Sequence, residues 1–220
     1  MKNVSVFTVL NILICAYVAV TLAVMASTEP AYVGKVATID TVDRAALLES
    51  LRRGGHVIYL RHAQTEKDYA DQVTADPSDG STQRVLSEAG WHQAKAIGTA
   101  FRTLGIPVGK VVSSEYFRAW QTADLAFGTY EKAAALNFEP AEDYSPIQVK
   151  AMRTRVKPFL VEMPEAGTNT VLVGHDDPFE AVTGIYPEPQ GVAYVLTPDG
   201  EGGYAIAAKL ESQDWSKLAR

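Results

Sequence analysis

Apolar residues gather in short runs that stop abruptly at polar or charged residues. Residues 57–60, 108–112 and 171–173 are rich in aliphatic side chains, and each run has the length of a buried strand. Two further runs, 193–196 and 204–210, are joined by Pro-Asp-Gly-Glu-Gly-Gly, which is typical of a turn. The pattern therefore predicts three buried strands and a C-terminal β-hairpin.

Helical periodicity appears between the strands. Residues 43–53 carry alanine and leucine at helical spacing and end at a Gly-Gly pair. Further helices are predicted from residue 87, over 115–127 and over 147–163, the last broken near Pro158 because proline lacks an N–H. Residues 66–85 are polar and without period, which indicates a loop that can serve as a lid. Alternating strands and helices predict one α/β domain.

Three predicted strands end in residues that bind and transfer charged groups. Arg61 and His62 follow the first strand, and His175 and Asp176 follow the third. The second strand leads into a helix that carries Arg118 about one turn in, with its side chain leaning back toward the strand end. Ligands of open α/β sheets bind at this edge. If the strands are neighbours, two histidines and two arginines meet there.

Four segments resemble, in the same order, the motifs of the histidine phosphatase superfamily, the phosphoglycerate-mutase-like proteins. The matching residues are Arg-His-Ala-Gln-Thr at 61–65, Leu-Ser-x-x-Gly-x-x-Gln-Ala at 86–94, Ser-Ser-x-x-x-Arg-Ala-x-Gln-Thr-Ala at 113–123, and Gly-His at 174–175. The resemblance spans most of residues 55–196. It implies a three-layer α/β/α sandwich around a mixed, mostly parallel central sheet.

The resemblance also implies hydrolysis of phosphomonoesters through a covalent phosphohistidine on His62, without a cofactor. The residue types fit this chemistry, because Arg61 and Arg118 can each donate two N–H groups to phosphoryl oxygens and His175 can add a third contact. Neighbouring guanidinium groups disfavour imidazolium and keep His62 nucleophilic. The alternative, a dinuclear metal site on His62, His175, Asp176 and Asp177, lacks ligand spacing, so no metal is expected. The mutases' glutamate-centred motif is not recognisable, which favours hydrolysis.

The general acid is left open by the sequence. Asp176 directly follows His175, as in the acid-phosphatase branch of the superfamily, where that aspartate protonates the leaving group. Other branches use a carboxylate between the second arginine and the second histidine, where Glu139, Glu142 and Asp143 lie. We favour Asp176 over the pair Glu142 and Asp143.

Three residues are assigned to substrate binding, namely Thr65, Asp68 and Arg84. Asp68 stands where many members of the superfamily place an asparagine that contacts phosphate. Since a carboxylate repels phosphate, Asp68 is expected to pair with a cation such as Arg84 or to face a substrate hydroxyl.

The N-terminal residues indicate export. Residues 4–25 carry no charge and follow Lys2, so residues 1–26 are expected to be a signal peptide or membrane anchor, and 27–42 a linker to the domain at 43–220. The protein is expected to be periplasmic or anchored to the outer face of the inner membrane. The sole cysteine, Cys15, lies in the apolar segment, so the domain has no disulfide.

The net charge of the chain limits the classes of substrate, and two alternative functions remain open. The net charge of −6 and the lack of a basic run argue against a nucleic acid partner, so the expected substrate is a small phosphomonoester such as a sugar phosphate. A protein phosphohistidine phosphatase is the first alternative. A non-catalytic binder of phosphorylated ligands in the cell envelope is the second, although such a binder has no need of His62.

Overall fold

A computed structural model describes residues 35–68, 70–72, 75–141 and 143–219. The predicted signal peptide or anchor at 1–26 and the candidate acid Glu142 lie outside the described residues. Within the described part of the chain, no helix has the length and apolar character needed to cross a membrane.

Six strands form one mixed sheet in the order β3-β2-β4-β1-β5-β6. The strands are β1 (Val57–Arg61), β2 (Val108–Ser113), β3 (Glu131–Lys132), β4 (Asn169–Gly174), β5 (Ala193–Pro198) and β6 (Tyr204–Leu210). The first four run parallel to one another, and β5 and β6 form the predicted antiparallel hairpin beside β1. The expected mixed, mostly parallel sheet is confirmed.

Five helices cover the two faces of the sheet. They are α1 (Arg44–Arg53), α2 (Glu88–Leu104), α3 (Phe117–Phe127), α4 (Pro146–Val161) and α5 (Asp176–Thr183). Alternate residues of β1 divide the core, because Ile58 and Leu60 pack with α1, α2 and α3, whereas Val57 and Tyr59 pack with α4 and α5. The molecule is therefore the expected three-layer sandwich.

Two local expectations are wrong. The predicted break near Pro158 is absent, and α4 runs through this proline to Val161. Val156 and Leu160, on either side of the proline, are fully buried, and this packing outweighs one missing hydrogen bond near the helix end. Within the predicted linker, Ile39 is buried in the core and Thr38 pairs with Lys209, so this part of the segment packs with the domain.

Candidate active site

The three strand ends predicted to carry the site do meet at one edge of the sheet. β4 lies between β1 and β2, with Arg61 paired to Gly174 and Ser113 paired to Val173. The next residues after β1 and β4 are His62 and His175, and their ring centroids lie 5.4 Å apart. Strand register therefore places the two histidines side by side.

His62 is held in the form that a nucleophile needs. Its Nδ1 lies 2.8 Å from the carbonyl oxygen of Ala63, which can only accept a hydrogen bond, so Nδ1 carries the ring proton. Nε2 lies 3.1 Å from Nε of Arg118, an N–H donor, and therefore presents its lone pair. Burial, followed by the charges of Arg118 and Arg61, holds the pKa of His62 well below its ordinary value. The ring is therefore neutral, and the lone pair of Nε2 can attack a ligand once Arg118 turns away from it.

Both predicted arginines are buried, and each contacts one carboxylate. Arg118 donates from Nη1 to Oδ1 of Asp71 at 2.7 Å, and Arg61 donates from Nη2 to Oδ2 of Asp176 at 2.5 Å. Nε of Arg61 is buried without a hydrogen-bond partner among the described residues. Phosphate oxygens are stronger bidentate acceptors for guanidinium than a single carboxylate oxygen, so both cations can be redirected to a phosphoryl group.

Asp176 lies in the site, where it contacts Arg61. Its Oδ2 accepts hydrogen bonds from Arg61 and from the Tyr186 hydroxyl at 2.6 Å. The Arg61 charge outweighs burial and lowers the pKa of Asp176, so the carboxylate is ionised in the free protein. Asp143 is exposed, and Glu139 forms an ion pair with Arg155. The described structure therefore favours Asp176 on position.

Asp177, the next residue, has the opposite character. Burial and the neighbouring charge of Asp176 raise the pKa of Asp177 to about 6. Its carboxylate accepts a hydrogen bond from the Tyr144 hydroxyl at 3.0 Å and lines a different pocket, between α4 and α5. Asp177 therefore faces away from the histidines.

The expected pairing of Asp68 with Arg84 is wrong. Asp68 is exposed and forms no ion pair with any described residue. Its expected place beside the arginines is taken by Asp71, which accepts both the Arg118 guanidinium and the backbone N–H of Arg84, the latter at 2.8 Å. This role could not be predicted from the sequence, because a polar loop has no periodicity that singles out one of its aspartates.

Thr65 and Arg84 line a pocket of about 680 Å³ that also includes Arg61. The hydroxyl of Thr65 accepts a hydrogen bond from the side-chain amide of Gln190 at 3.1 Å, and this contact fixes its position. The pocket begins at the arginine that would hold phosphate, so it has the position needed for the remainder of a substrate.

The Leu-Ser-x-x-Gly-x-x-Gln segment shapes the loop that follows His62. A Cβ on Gly90 would lie 1.9 Å from the carbonyl oxygen of Gln64, so only glycine lets the start of α2 approach that loop. Ser87 donates its backbone N–H to the same oxygen at 3.0 Å, and Gln93 accepts the backbone N–H of Gln64 at 2.9 Å. The motif thus holds the loop after His62 in place, a role that was not predicted from the sequence.

Two hydroxyl groups anchor the histidines from behind. Thr122 accepts the backbone N–H of Ala63 at 2.9 Å and donates to the carbonyl of Arg118 at 2.7 Å, which joins the loop after β1 to α3. The Tyr59 hydroxyl donates to the backbone carbonyl of His175 at 2.8 Å and accepts its N–H at 3.1 Å. Among the described residues, no three His, Cys, Asp or Glu side chains group as metal ligands.

Comparison with known proteins agrees with this geometry. The model of the histidine phosphatase superfamily (branch 1) matches residues 57–139. The mitochondrial serine/threonine-protein phosphatase Pgam5 of Drosophila willistoni is 32% identical over 94 residues, which are 42% of this chain and 29% of that protein. The match thus covers less than a third of the relative's length.

Solved structures share the fold at low sequence identity. A phosphoserine phosphatase variant from Entamoeba histolytica, in complex with phosphoserine, gives a TM-score of 0.53 at 13% identity and covers 72% of this chain and 98% of its own. The mycobacterial glucosyl-3-phosphoglycerate phosphatase gives 0.50 at 18% identity and covers 70% and 99%. The match of residues 57–139 to the family model and the fold shared with these structures make the chain similar to the histidine phosphatase superfamily.

Proposed function

We propose that this protein is a metal-independent phosphomonoester hydrolase that forms a phosphohistidine on His62. One observation carries the proposal: Nε2 of a neutral, buried His62 presents its lone pair beside Arg118, with Arg61 and His175 close by. Three positively charged or hydrogen-bonding groups around one nucleophilic nitrogen form a site for a phosphoryl group in transfer.

The first half of the reaction follows from these contacts. Arg118 turns its guanidinium from His62 to the phosphoryl oxygens, and Arg61 leaves Asp176 to do the same. Nε2 of His62 then forms a bond to phosphorus as the bond from phosphorus to the leaving oxygen breaks. The bond from Nδ1 to the carbonyl oxygen of Ala63 stabilises the positive charge that develops on the ring.

Asp176 is proposed to supply the proton to the leaving oxygen. In the free protein the Arg61 cation keeps this carboxylate ionised. Once Arg61 is engaged by phosphate, the carboxylate loses part of that stabilisation and lies near a second anion, so its pKa rises. Asp176 can then bind a proton, donate it to the leaving oxygen, and later take one from the water that hydrolyses the phosphohistidine.

Trapping of the phosphoenzyme tests the function. The protein is mixed with a ³²P-labelled phosphomonoester, quenched without acid, and examined for label that is stable to base and labile to acid. His62→Ala is expected to abolish both label and turnover, whereas His92→Ala, at an exposed histidine of α2, should keep both. Chelation with EDTA should leave turnover unchanged. Full turnover by His62→Ala would refute the proposal.

The substrate class follows from the size and polarity of the pocket. A pocket of about 680 Å³ that starts at Arg61 and is lined mostly by polar side chains fits a small hydrophilic phosphomonoester, such as a sugar phosphate. Phosphoserine, which is bound in one structural neighbour, and glucosyl-3-phosphoglycerate, for which another is named, are of this general size. A panel of sugar phosphates, phosphoamino acids and a phosphohistidine protein separates this assignment from the phosphohistidine phosphatase alternative.

We further propose that the reaction takes place outside the cytoplasm. The support is the uncharged, apolar stretch at residues 4–25 behind Lys2, which has the length of a membrane span. Fractionation of cells that express the full chain, with protease added to intact spheroplasts, tests this. Protection of the domain from the protease would contradict an exported location.

A further inference from the structure

The ring nitrogen Nδ1 of His175 faces no hydrogen-bond partner in the described structure. His175 is fully buried. Its Nε2 lies 2.8 Å from the hydroxyl oxygen of Ser114. A phosphoryl oxygen is an acceptor, so His175 can bind it through Nδ1 only when that nitrogen carries a proton.

A chain of hydrogen bonds decides where the proton of neutral His175 resides. The Glu115 carboxylate lies 2.9 Å from Nδ2 of Asn137 and, being an acceptor, fixes the orientation of that amide. Oδ1 of Asn137 therefore faces Ser114 and accepts its hydroxyl proton at 2.8 Å. Because the hydroxyl proton of Ser114 is donated to Asn137, the Ser114 oxygen can only accept a hydrogen bond from Nε2 of His175. The same oxygen also accepts the backbone N–H of Tyr116 at 3.2 Å.

Neutral His175 accordingly has its proton on Nε2 and a bare Nδ1. The surroundings keep it neutral in the free protein, because burial and the charges of Arg118, Arg61 and Arg84 hold its pKa well below the ordinary value. The remaining contacts are aromatic, since Tyr116 and Phe138 meet the ring edge-on.

The nearest carboxylates do not supply a proton to His175. Asp71 contacts Arg118, and Asp176 contacts Arg61, and neither is a hydrogen-bond partner of His175 in the described structure. The Asp176 carboxyl is also ionised, because Arg61 lowers its pKa. The proton needed at Nδ1 has to come from solvent or with the ligand.

We propose that phosphate binds to this site together with one proton, held between Nδ1 of His175 and a phosphoryl oxygen. Ser114, Asn137 and Glu115 are the positioning residues that impose this requirement. The inference rests on the proposed function, since it takes the ligand to be a phosphoryl group beside His62. The proton is taken from solvent when the ligand is a dianion, and it arrives on the ligand when the ligand is a monoanion.

The requirement predicts which ionic form of the substrate reacts. A phosphomonoester loses its second proton with a pKa of about 6. Above that pH, kcat/KM should fall tenfold per pH unit, because each unit removes nine tenths of the monoanion. The test uses p-nitrophenyl phosphate, whose leaving group needs little protonation by Asp176. With this substrate, a site whose Nδ1 is already protonated would bind the dianion and show no such limb.

Nitrogen NMR tests the tautomer directly. In protein labelled with ¹⁵N-histidine, the His175 signals are identified by their loss in His175→Gln. The free protein should show a bare, pyridine-type Nδ1 and a protonated Nε2, and inorganic phosphate should convert Nδ1 to a protonated nitrogen. A protonated Nδ1 in the free protein would overturn the inference.

Calorimetry of phosphate binding tests the role of the hydrogen-bond chain. Inorganic phosphate is titrated at alkaline pH in two buffers of different ionisation enthalpy, which gives the number of protons taken up. About one proton per phosphate is expected for the native protein and for the matched control Ser113→Ala. Among the described residues, the hydroxyl of Ser113 has one hydrogen-bond partner, the Ser114 carbonyl. In Asn137→Ala the uptake should vanish, because the freed Ser114 hydroxyl can donate to Nε2 and leave the ring proton on Nδ1.

The outcomes separate this inference from the function on which it rests. Phosphate binding without proton uptake by the native protein, or equal uptake in Asn137→Ala, overturns the inference and leaves phosphatase activity intact. Absence of phosphate binding together with absence of His62-dependent turnover overturns both.

Discussion

The Nε atom of Arg118 lies 3.1 Å from Nε2 of His62, so the free protein covers its attacking nitrogen with a cation that has to bind phosphate. The other end of that guanidinium contacts Asp71 at 2.7 Å. Phosphate therefore enters by replacing contacts that Arg118 already makes.

Removal of the Asp71 charge should tighten the binding of phosphate. In Asp71→Asn, Arg118 no longer leaves a carboxylate to engage the ligand, and the repulsion between that carboxylate and phosphate is lost. We expect inorganic phosphate to inhibit about tenfold more strongly, which corresponds to about 1.4 kcal/mol. Competitive inhibition of p-nitrophenyl phosphate hydrolysis gives this constant.

Asp68→Asn is the matched control, because Asp68 lies in the same loop with the same charge but is exposed and pairs with no described residue. It should change the inhibition constant little, since exposed charges are screened by solvent and salt. Equal shifts in the two variants would mean that overall loop charge, and not the contact with Arg118, governs affinity.

Substitution of Asp176 should reveal its role through the leaving group. An acid matters most when the departing oxygen is strongly basic, so Asp176→Asn should lose about two to four orders of magnitude in turnover of a sugar phosphate. It should lose much less with p-nitrophenyl phosphate, whose leaving group needs little protonation. The ratio of the two kcat/KM values is the measurement.

An unchanged ratio in Asp176→Asn would remove it as the acid. Asp143→Asn and Glu142→Gln are then the variants to compare, the first at an exposed residue and the second outside the described residues. Asp177→Asn is a further control, since Asp177 lies next in the chain but lines another pocket.

A methyl group on Gly90 should disturb the nucleophile's loop. The added Cβ would meet the Gln64 carbonyl oxygen at 1.9 Å, which forces the loop after His62 to move. We expect Gly90→Ala to lower the free energy of unfolding by about 1–3 kcal/mol. Turnover per folded molecule should fall on the order of a hundredfold, because small displacements of a nucleophile are costly.

Gly98→Ala is the matched control in the same helix, where the new Cβ would lie 1.9 Å from the carbonyl oxygen of Ala126 in α3. It should destabilise the fold to a similar extent and leave turnover per folded molecule close to native. Thermal unfolding and active-site titration measure the two effects separately. If both variants lose turnover equally, Gly90 has no special relation to the site.

Stability should decrease as the pH falls below about 6.5. His62 and His175 have pKa values well below the ordinary value when folded, so the unfolded chain binds protons there that the folded chain does not. Each such group removes up to about 1.4 kcal/mol of stability per pH unit within that window. Asp177 has the opposite effect on stability between about pH 4 and 6. Because its pKa is raised, the folded state binds a proton there at a higher pH than the unfolded chain does, so Asp177 adds stability as the pH falls through this range.

Denaturant unfolding between pH 7 and 5 tests whether the free energy of unfolding decreases as the pH falls. The slope of stability against pH should be positive, and His62→Asn should reduce it by the contribution of one histidine. A flat or negative slope would show that the buried histidines do not remain neutral.

The positions of the candidate site residues could be predicted from sequence because they follow simple rules. Arg61, His62 and His175 come directly after apolar runs, and parallel strands bring such residues to one edge of the sheet. Arg118 was placed by the backward lean of helical side chains. The order of the strands could not be predicted from the sequence. It is the structure that shows β4 between β1 and β2.

Contacts between a loop and a distant element could not be predicted in this way. Asp71 meets Arg118 across 47 positions of chain, and no periodicity marks it among the neighbouring aspartates. The Asn137 amide likewise reaches Ser114 from an irregular segment. For Pro158, a local rule gave a wrong prediction. The rule that proline breaks a helix predicts an interruption there, but the burial of this helix keeps it continuous.

The place of β4 between β1 and β2 also bears on the order in which the protein can be made. The residues matched by the family model, 57–139, include both β1 and β2, yet these strands have no edge in common. Their shared partner, Asn169–Gly174, is synthesised later. A ribosome therefore has to complete about four fifths of the chain before β1 can pair, which makes the emergence of β4 the earliest point at which the candidate site can form during translation.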